Sequence, residues 1–291
     1  MSAPRALLGG IVDYAGLFPP AALDMPTAVA NYAAYRAGPD AWALGRFVVP
    51  ASRLDELAAA AAPCVAGEPW RVSALLGADA AADVRRVGEF NERSSRLAAV
   101  DAVEFKASDV AAVSRVAPLV PRGAEAYAEL PVEPDPTPLV TAVARAGLRA
   151  KVRTGGVTAD AFPTSAQLAR FIAACVAAGV PFKATAGLHH PLRATYRLTY
   201  DADSATATMF GFLNVFLAAA LLRAGGTVRD AEALLEESDP SALRVGDDAI
   251  TWREHRFDTA ALAAARRLAV SFGSCSFREP MEEVKLLSAG W

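Results

Sequence analysis

The sequence predicts a single (β/α)8 TIM barrel, of the α/β class. Three observations carry that expectation. Eight short apolar or β-branched runs recur along the chain with helical-period segments between them, an alternation that implies a parallel sheet. Residues of the AVILMFWYC set make up 53% of the 291 positions, ample for one large core. No internal repeat or low-complexity linker divides the chain, so residues 1–291 are read as one domain. A doubly wound open sheet shares this alternation and is the main rival, because a pattern of runs does not show closure.

In order, the first run is Leu7 to Val12, stopped by Asp13 and the Pro19-Pro20 turn, with helical period through Ala28, Tyr32 and Tyr35. Arg46 to Val49 is the second, closed by Pro50, with Ser52 as a cap signal for Leu54 to Ala62. Val72 to Leu76 is the third and leads into a helix from Asp79 to Leu97; Val100 to Phe105 is the fourth, followed by Ser108-Asp109 as a cap. Ala124 to Leu130 is the fifth, closed by Pro131, and Leu148 to Val152 the sixth. A helix from Thr164 to Ala178 follows, with Ser165 near its start and Gly179 just past its end. Val180 to Thr185 is the seventh run and Val270 to Phe277 the eighth, with a short helix after it. Between those two the spacing breaks. Residues 192–267 are expected to form a long helical insertion or lid, with an apolar helix, a charged helix and an Ala-rich helix around one short strand at Ile250 to Trp252.

Composition narrows the function classes. Lys and Arg number 29 against 32 Asp and Glu, a balance without the basic footprint of a nucleic-acid binder. The longest apolar run, Met209 to Leu222, is interrupted by Asn214 and is shorter than a membrane span. Cys64, Cys175 and Cys275 are odd in number and widely spaced, which suits reduced thiols and a cytoplasmic protein. The expected partner is a small-molecule substrate, with no nucleic acid and no membrane; a homo-oligomer is compatible with the sequence.

The chemistry concentrates in two matched stretches. Lys151-Val152-Arg153-Thr154-Gly155-Gly156 closes the sixth run, and Lys183-Ala184-Thr185-Ala186-Gly187-Leu188-His189-His190 closes the seventh. Barrels keep their active residues at the carboxyl ends of strands, so two lysines are expected side by side there. A strand-end lysine can simply reach solvent, but two in matched settings argue for use. At roughly 6 Å and an effective dielectric near 20 they repel by about 3 kcal/mol, or about two pKa units. Such repulsion, with desolvation, could leave one amine neutral and able to form a Schiff base with a carbonyl. Alternation puts Lys151 and Arg153 on one face, and Lys183 and Thr185 on one face.

Carboxylates near strand ends supply proton transfers: Asp13, Asp101, Glu104 and Glu129. Asp101 and Glu129 are favoured with Asp13, because Asp101 and Glu104 have opposite parity and both face inward only if the strand bulges. Adjacent His189 and His190 in an extended segment point opposite ways, so one is expected to face the site and hydrogen-bond substrate while the other packs. No HxH or HExxH spacing supports a metal, and none is expected. Gly187, Gly273 and Ser274 offer a phosphate or carboxylate site at the last two strand ends, though Glu279, Glu282 and Glu283 oppose a dianion. Cys275 reads as a core thiol.

These strand-end residues together resemble the deoxyribose-phosphate aldolase family of class I aldolases, in order along almost the whole chain. Val12-Asp13-Tyr14-Ala15-Gly16-Leu17 with Pro19 is similar to that family's I-D-H-T-x-L-x-P motif, and Phe47-Val48-Val49-Pro50 to its V-Y-P strand. Val100-Asp101-Ala102-Val103 resembles V-D-x-V, Lys151-Val152-Arg153-Thr154-Gly155 resembles K-T-S-T-G, and Phe182-Lys183-Ala184-Thr185-Ala186-Gly187 resembles F-K-P-A-G-G. Phe272-Gly273-Ser274-Cys275-Ser276 is similar to the F-G-A-S-S phosphate loop. The resemblance implies a Schiff-base lysine at Lys151, a pKa-lowering partner at Lys183, and a proton relay through Asp101. It implies no cofactor. Tyr14-Ala15, Arg153, Ala186 and His189-His190 depart from the pattern, and Arg153 suggests an anionic group on the substrate.

The expected function is therefore a Schiff-base-forming lyase of the class I aldolase type, acting on a small anionic aldehyde or ketone. Lys151, Lys183, Asp101, Asp13 and Glu129 would be catalytic, and Arg153, Thr185, Gly187, His189, Gly273 and Ser274 would bind substrate. The alternatives are a metal-assisted isomerase or hydrolase using His189 or His190 with Glu129, and a non-catalytic barrel that binds a metabolite or partner.

Overall fold

The structure is a computed structural model and describes residues 1–65 and 67–287. After α1 (Ala3–Leu8) the chain alternates regularly. In order come β1 (Val12–Tyr14), α2 (Met25–Ala37), β2 (Leu44–Pro50), α3 (Leu54–Ala61), β3 (Trp70–Leu75), α4 (Ala80–Ser94) and β4 (Ala98–Lys106). Then follow α5 (Val110–Val116), β5 (Glu125–Glu129), α6 (Thr137–Arg145), β6 (Arg149–Arg153), α7 (Ser165–Ala178) and β7 (Phe182–Thr185). The excursion contains β8 (Ala194–Arg197), β9 (Thr206–Met209), α8 (Phe212–Arg223), α9 (Val228–Leu235), β10 (Leu243–Val245), β11 (Ala249–Trp252), β12 (His255–Asp258) and α10 (Thr259–Arg266). β13 (Ala269–Ser274) and α11 (Arg278–Leu287) end the described chain.

β1 through β7 and β13 close into an eight-stranded parallel barrel, with β13 between β7 and β1. Closure excludes the open-sheet rival and gives the (β/α)8 architecture. Outward faces of the strands are apolar and meet the helices. Phe47 packs edge-on to Tyr14 and Tyr32, and Tyr32 in turn to Trp70 at 4.8 Å between ring centres. Phe272 stacks on Phe212 of α8 at 5.1 Å. Each such fully buried ring contributes about 1.5–3 kcal/mol through area removed from water. The stretch 159–178 has the length and hydropathy of a membrane span. Its helix, α7, instead buries Leu168, Phe171, Ile172 and Cys175 within the barrel's helical layer.

Three local expectations change. Leu7 and Leu8 are not strand: Pro4 sits in the first turn of α1, whose apolar face is buried beside α10 at the amino-terminal end of the barrel. Gly10, at φ +59°, then turns the chain into β1. Ser52 falls in a short turn and α3 starts without a side-chain cap. Thr164, expected as the first residue of its helix, instead caps α7 in a reciprocal capping box with Gln167; Gly179 closes that helix in the left-handed region.

The excursion is not purely helical. The hairpin β8–β9 lies over the carboxyl-terminal mouth, while the antiparallel sheet β10–β11–β12 packs at the other end beside α1. Its short strands carry exposed Thr195, Arg197, Thr206 and Arg244, so their alternation lacks the apolar half that makes a strand legible. α8 is buried all round from Phe212 to Leu221. Its Asn214 amide donates to the Leu234 and Glu237 carbonyls and accepts from the Arg193 N–H, which satisfies the polar group inside it.

Candidate active site

The inward face of this barrel is polar, in tiers. At the amino-terminal end the Arg46 guanidinium joins Asp101 (2.6 Å) and Glu125 (3.0 Å), Arg71 joins Asp101, and Arg149 joins Glu125. The middle tier holds the lysines. Lys151 pairs directly with Lys183 in register across β6 and β7. Glu104 bridges them, accepting from Lys151 Nζ at 2.6 Å and from Lys183 Nζ at 2.7 Å, one on each oxygen. Lys183 Nζ also donates to Asp13 Oδ2 (2.6 Å), and Lys151 Nζ pairs with Glu129 Oε2 (2.9 Å). Hydroxyls complete the set: Ser73 donates to Glu104 and Ser271 to Asp13, while the Arg46 N–H donates to the other Asp13 oxygen.

The bare repulsion expected between the two lysines is thus interleaved with carboxylates. Burial alone would push the Lys183 pKa down, but Asp13 and Glu104 outweigh it and hold the ammonium well above the ordinary lysine value. The same balance works on the acids. Burial would raise Asp13 and Glu104, yet Lys183 with Arg46 holds Asp13 low, and Lys151 with Lys183 holds Glu104 far below the carboxylate range. Lys183, Asp13 and Glu104 therefore stand as fixed charges.

Asp101 is not in this tier. The register slips between Val72–Val100 and Ser73–Ala102 pairs, and this bulge turns both Asp101 and Glu104 inward. Asp101 lands early on β4, against Arg46 and Arg71, at the end of the barrel opposite the cleft; Glu104, three residues on, reaches both lysines. The position expected of Asp101 is occupied by Glu104.

A cleft of about 580 Å³ opens above the lysines. Lys151 and Glu129 lie at its floor, and Arg153, Thr185, Gly187, His189 and Gly273 line its walls, with Tyr196 and Tyr200 of the hairpin segment above. A second groove, about 910 Å³ and lined by Gly77, Asp79, Lys106 and Arg115, meets it at Glu104, Glu129 and Lys151. Lys151 borders both spaces; Lys183 is 1% exposed and borders neither. Arg153 is exposed, with its guanidinium 3.4 Å from the Gly155 carbonyl.

Two glycines keep this mouth open, Gly187 by backbone conformation as well as space. A Cβ on Gly273 would lie 3.0 Å from Thr185 Oγ1, and one on Gly187, at φ +71°, would meet the Phe162 ring at 2.9 Å. Of the anion loop expected at Gly187, Gly273 and Ser274, the two glycines line the cleft while the Ser274 hydroxyl is engaged by the protein's own groups. Ser274 Oγ accepts from the Ser276 N–H and lies 3.4 Å from His189 Nδ1, which pairs with Glu279 at 3.3 Å.

Both histidines reach the cleft, against the alternation expected of them, because residues 188–190 lie beyond β7 in a bend. Burial would lower His189, but contacts with Cys275 and Glu279 prevail and push its pKa up to about 9. Cys275 is a wall residue rather than an inert core thiol. Its Sγ is 3.9 Å from His189 Nδ1 and 3.5 Å from the Tyr200 hydroxyl. Burial would raise that thiol, and the imidazole turns the net shift downward. His190 stacks on Tyr196 (3.4 Å, 10°), and its Nδ1 lies 2.8 and 2.9 Å from the two oxygens of Glu283. Glu129 is engaged with Lys151 and joins neither histidine.

Comparison with family models, with curated proteins and with solved structures gives no match, so the site is read on its own geometry. The tier of Arg46, Glu125 and Arg149 and the cleft position of Tyr200 escaped the sequence reading. Strand parity was the available signal for the first; nothing local marks the second.

Proposed function

We propose that the protein is a Schiff-base-forming lyase of the class I aldolase type, with Lys151 as nucleophile. The observation that carries this reading is one amine at the floor of a cleft, flanked by two carboxylates and beside a second lysine that remains charged. Lys183 is enclosed and fixed as an ammonium, so Lys151 is the amine a carbonyl compound can meet. The resemblance to the deoxyribose-phosphate aldolase family points to the same pair.

To attack, Lys151 must lose a proton. Glu104 is a poor acceptor, held ionised by two ammonium groups. Glu129, 2.9 Å from Nζ at the cleft floor, is the group positioned to take it. The neutral amine adds to the carbonyl carbon and gives up one of its own protons to the new oxyanion; the proton held on Glu129 then goes to the resulting hydroxyl, and water leaves as the protonated imine forms. That iminium accepts the electron pair released when the neighbouring carbon–carbon bond breaks, while Glu104 and Lys183 keep the surrounding charge fixed. Arg153 at the mouth suits a carboxylate or phosphate on the substrate. The unpaired thiols suit a reducing, cytoplasmic compartment.

The test is reductive trapping. Protein incubated with a panel of small aldehydes and 2-oxo acids and then with borohydride should carry the adduct on Lys151. Loss of labelling in Lys151→Met, with wild-type labelling in Lys285→Met as a surface control, supports the reading. No adduct on Lys151 across the panel overturns it.

A further inference from the structure

We propose that His190, Glu279 and Glu283 form a binding site for one divalent transition-metal ion, zinc or manganese, on the outer wall of the cleft. The site joins the bend after β7 to the first turns of α11. It is separate from the lysine tier and does not rest on the Schiff-base reading.

The geometry is that of a ligand set. One atom from each of the three side chains lies within 4.8 Å of the other two. Metal–ligand bonds of about 2.0–2.2 Å to imidazole nitrogen and carboxylate oxygen hold donors roughly 3–4 Å apart, so small rotations of the two glutamates complete the set. The imidazole is placed for it: His190 is 8% exposed, and its ring is fixed by the stack on Tyr196.

Charge argues in the same direction. An imidazole Nδ1 carries at most one proton, yet both oxygens of Glu283 face His190 Nδ1 at 2.8 and 2.9 Å, and an oxygen of Glu279 lies within the same cluster. Among the described residues the ion-pair partners of Glu279 and Glu283 are the imidazoles of His189 and His190, and no arginine or lysine is among them. Glu283 sets both oxygens on one imidazole nitrogen, and Glu279, held by His189 and the Tyr200 hydroxyl, brings an oxygen into the same cluster, so a divalent ion at His190 would give both carboxylates a common partner. One nitrogen and carboxylate oxygens suit zinc, manganese or ferrous iron over softer or larger ions.

The position gives the ion a use. His190 and Glu279 line the cleft, so coordination positions left open by three protein ligands face the space above Lys151. The ion would add positive charge beside the acid-flanked glycine loop, and would bind a hydroxyl or carboxylate oxygen of the ligand in the cleft.

Tag-free protein stripped with chelator and dialysed should take up one equivalent of Zn2+ in calorimetry, and show one Mn2+ by electron paramagnetic resonance. Glu283→Gln and His190→Gln should each weaken binding by at least the roughly 10–100-fold that loss of a mere supporting partner costs. Lys151→Met should bind zinc as the wild type does, which separates this site from the proposed chemistry. Circular dichroism identifies a variant that fails to fold, and Glu283, half-buried outside the core, provides one that keeps the core intact. Absence of stoichiometric binding, or binding that is unchanged in both Glu283→Gln and His190→Gln, overturns the proposal.

Discussion

Lys151 and Lys183 donate to opposite oxygens of one carboxylate, Glu104, at 2.6 and 2.7 Å. Two side chains that would repel are thereby held at adjacent register positions, and the shared acid makes their spacing a property of the barrel rather than of solvent. Asp13 and Glu129 occupy the outer flank of each amine. Positive and negative groups alternate along the row.

Removing the bridge exposes its cost. Glu104→Gln leaves two buried ammonium groups facing a neutral amide. Breaking a buried pair by deleting one partner typically costs about 3–5 kcal/mol, and that loss is expected in denaturant unfolding. Lys183→Met takes the ammonium from Asp13 and Glu104 but leaves Asp13 the Ser271 hydroxyl and Arg46 N–H, and Glu104 the Lys151 amine and Ser73 hydroxyl, so it should cost less than Glu104→Gln. The double variant should lose less than the sum, because each change removes the charge that the other leaves unpaired.

The same tier sets the pH range of stability. Asp13 and Glu104 have folded pKa values below the ordinary carboxylate values of 3.8 and 4.5. Their contribution is present in full above those values and is lost as pH falls through the lower folded ones. Lys183 is raised above 10.5; its contribution is present below that value and lost as pH rises through the folded one. Stability should therefore be flat, as far as these groups act, from about pH 5 to 10, and fall on both sides. Chemical denaturation across pH checks this. In Lys183→Met the alkaline loss from this group should vanish.

How much of this was legible depended on whether a residue's neighbours along the chain settle its direction. Lys151 and Lys183 each close a short apolar run, and their matched places at the ends of neighbouring strands predicted that they lie side by side. Asp101 and Glu104 did not obey alternation, since one extra residue in β4 changes parity midway. A bulge of that kind is fixed by the partner strand β3 and leaves no local signature. The alternation of strands and helices was legible, but closure was not, because it rests on β13 pairing with both β7 and β1 across the excursion. The hairpin over the mouth was not, because its exposed strands bury one face at most, and Tyr200 reaches the cleft only through the tertiary fold.

Asp101 provides a separation of structure from chemistry. Its carboxylate holds Arg46 and Arg71 at the amino-terminal end, away from the cleft. Asp101→Asn should lower stability by about 1–3 kcal/mol, the cost of weakening hydrogen bonds to a buried charged group. Borohydride trapping at Lys151 should remain at the wild-type level under conditions where the variant is folded. A selective loss of trapping with stability intact would return Asp101 to the proton relay first expected of it.

Arg153 is placed to read substrate charge, and a pair of probes isolates that role. Its guanidinium is exposed at the mouth, two residues beyond Lys151 on the same face of β6, and its one described hydrogen bond is a long 3.4 Å contact to the Gly155 carbonyl. Arg153→Gln should therefore change stability by no more than about 0.5 kcal/mol, as for an ordinary surface site. A charge-assisted hydrogen bond contributes about 1.5–3 kcal/mol, so reductive trapping of a 2-oxo acid should weaken by roughly 10–100-fold. Trapping of an uncharged aldehyde of similar size should be unchanged, because the amine, Glu104 and Glu129 are untouched. Equal loss for both probes would mean that Arg153 acts on Lys151 rather than on the substrate, and its assignment as the anion-binding residue would then fail.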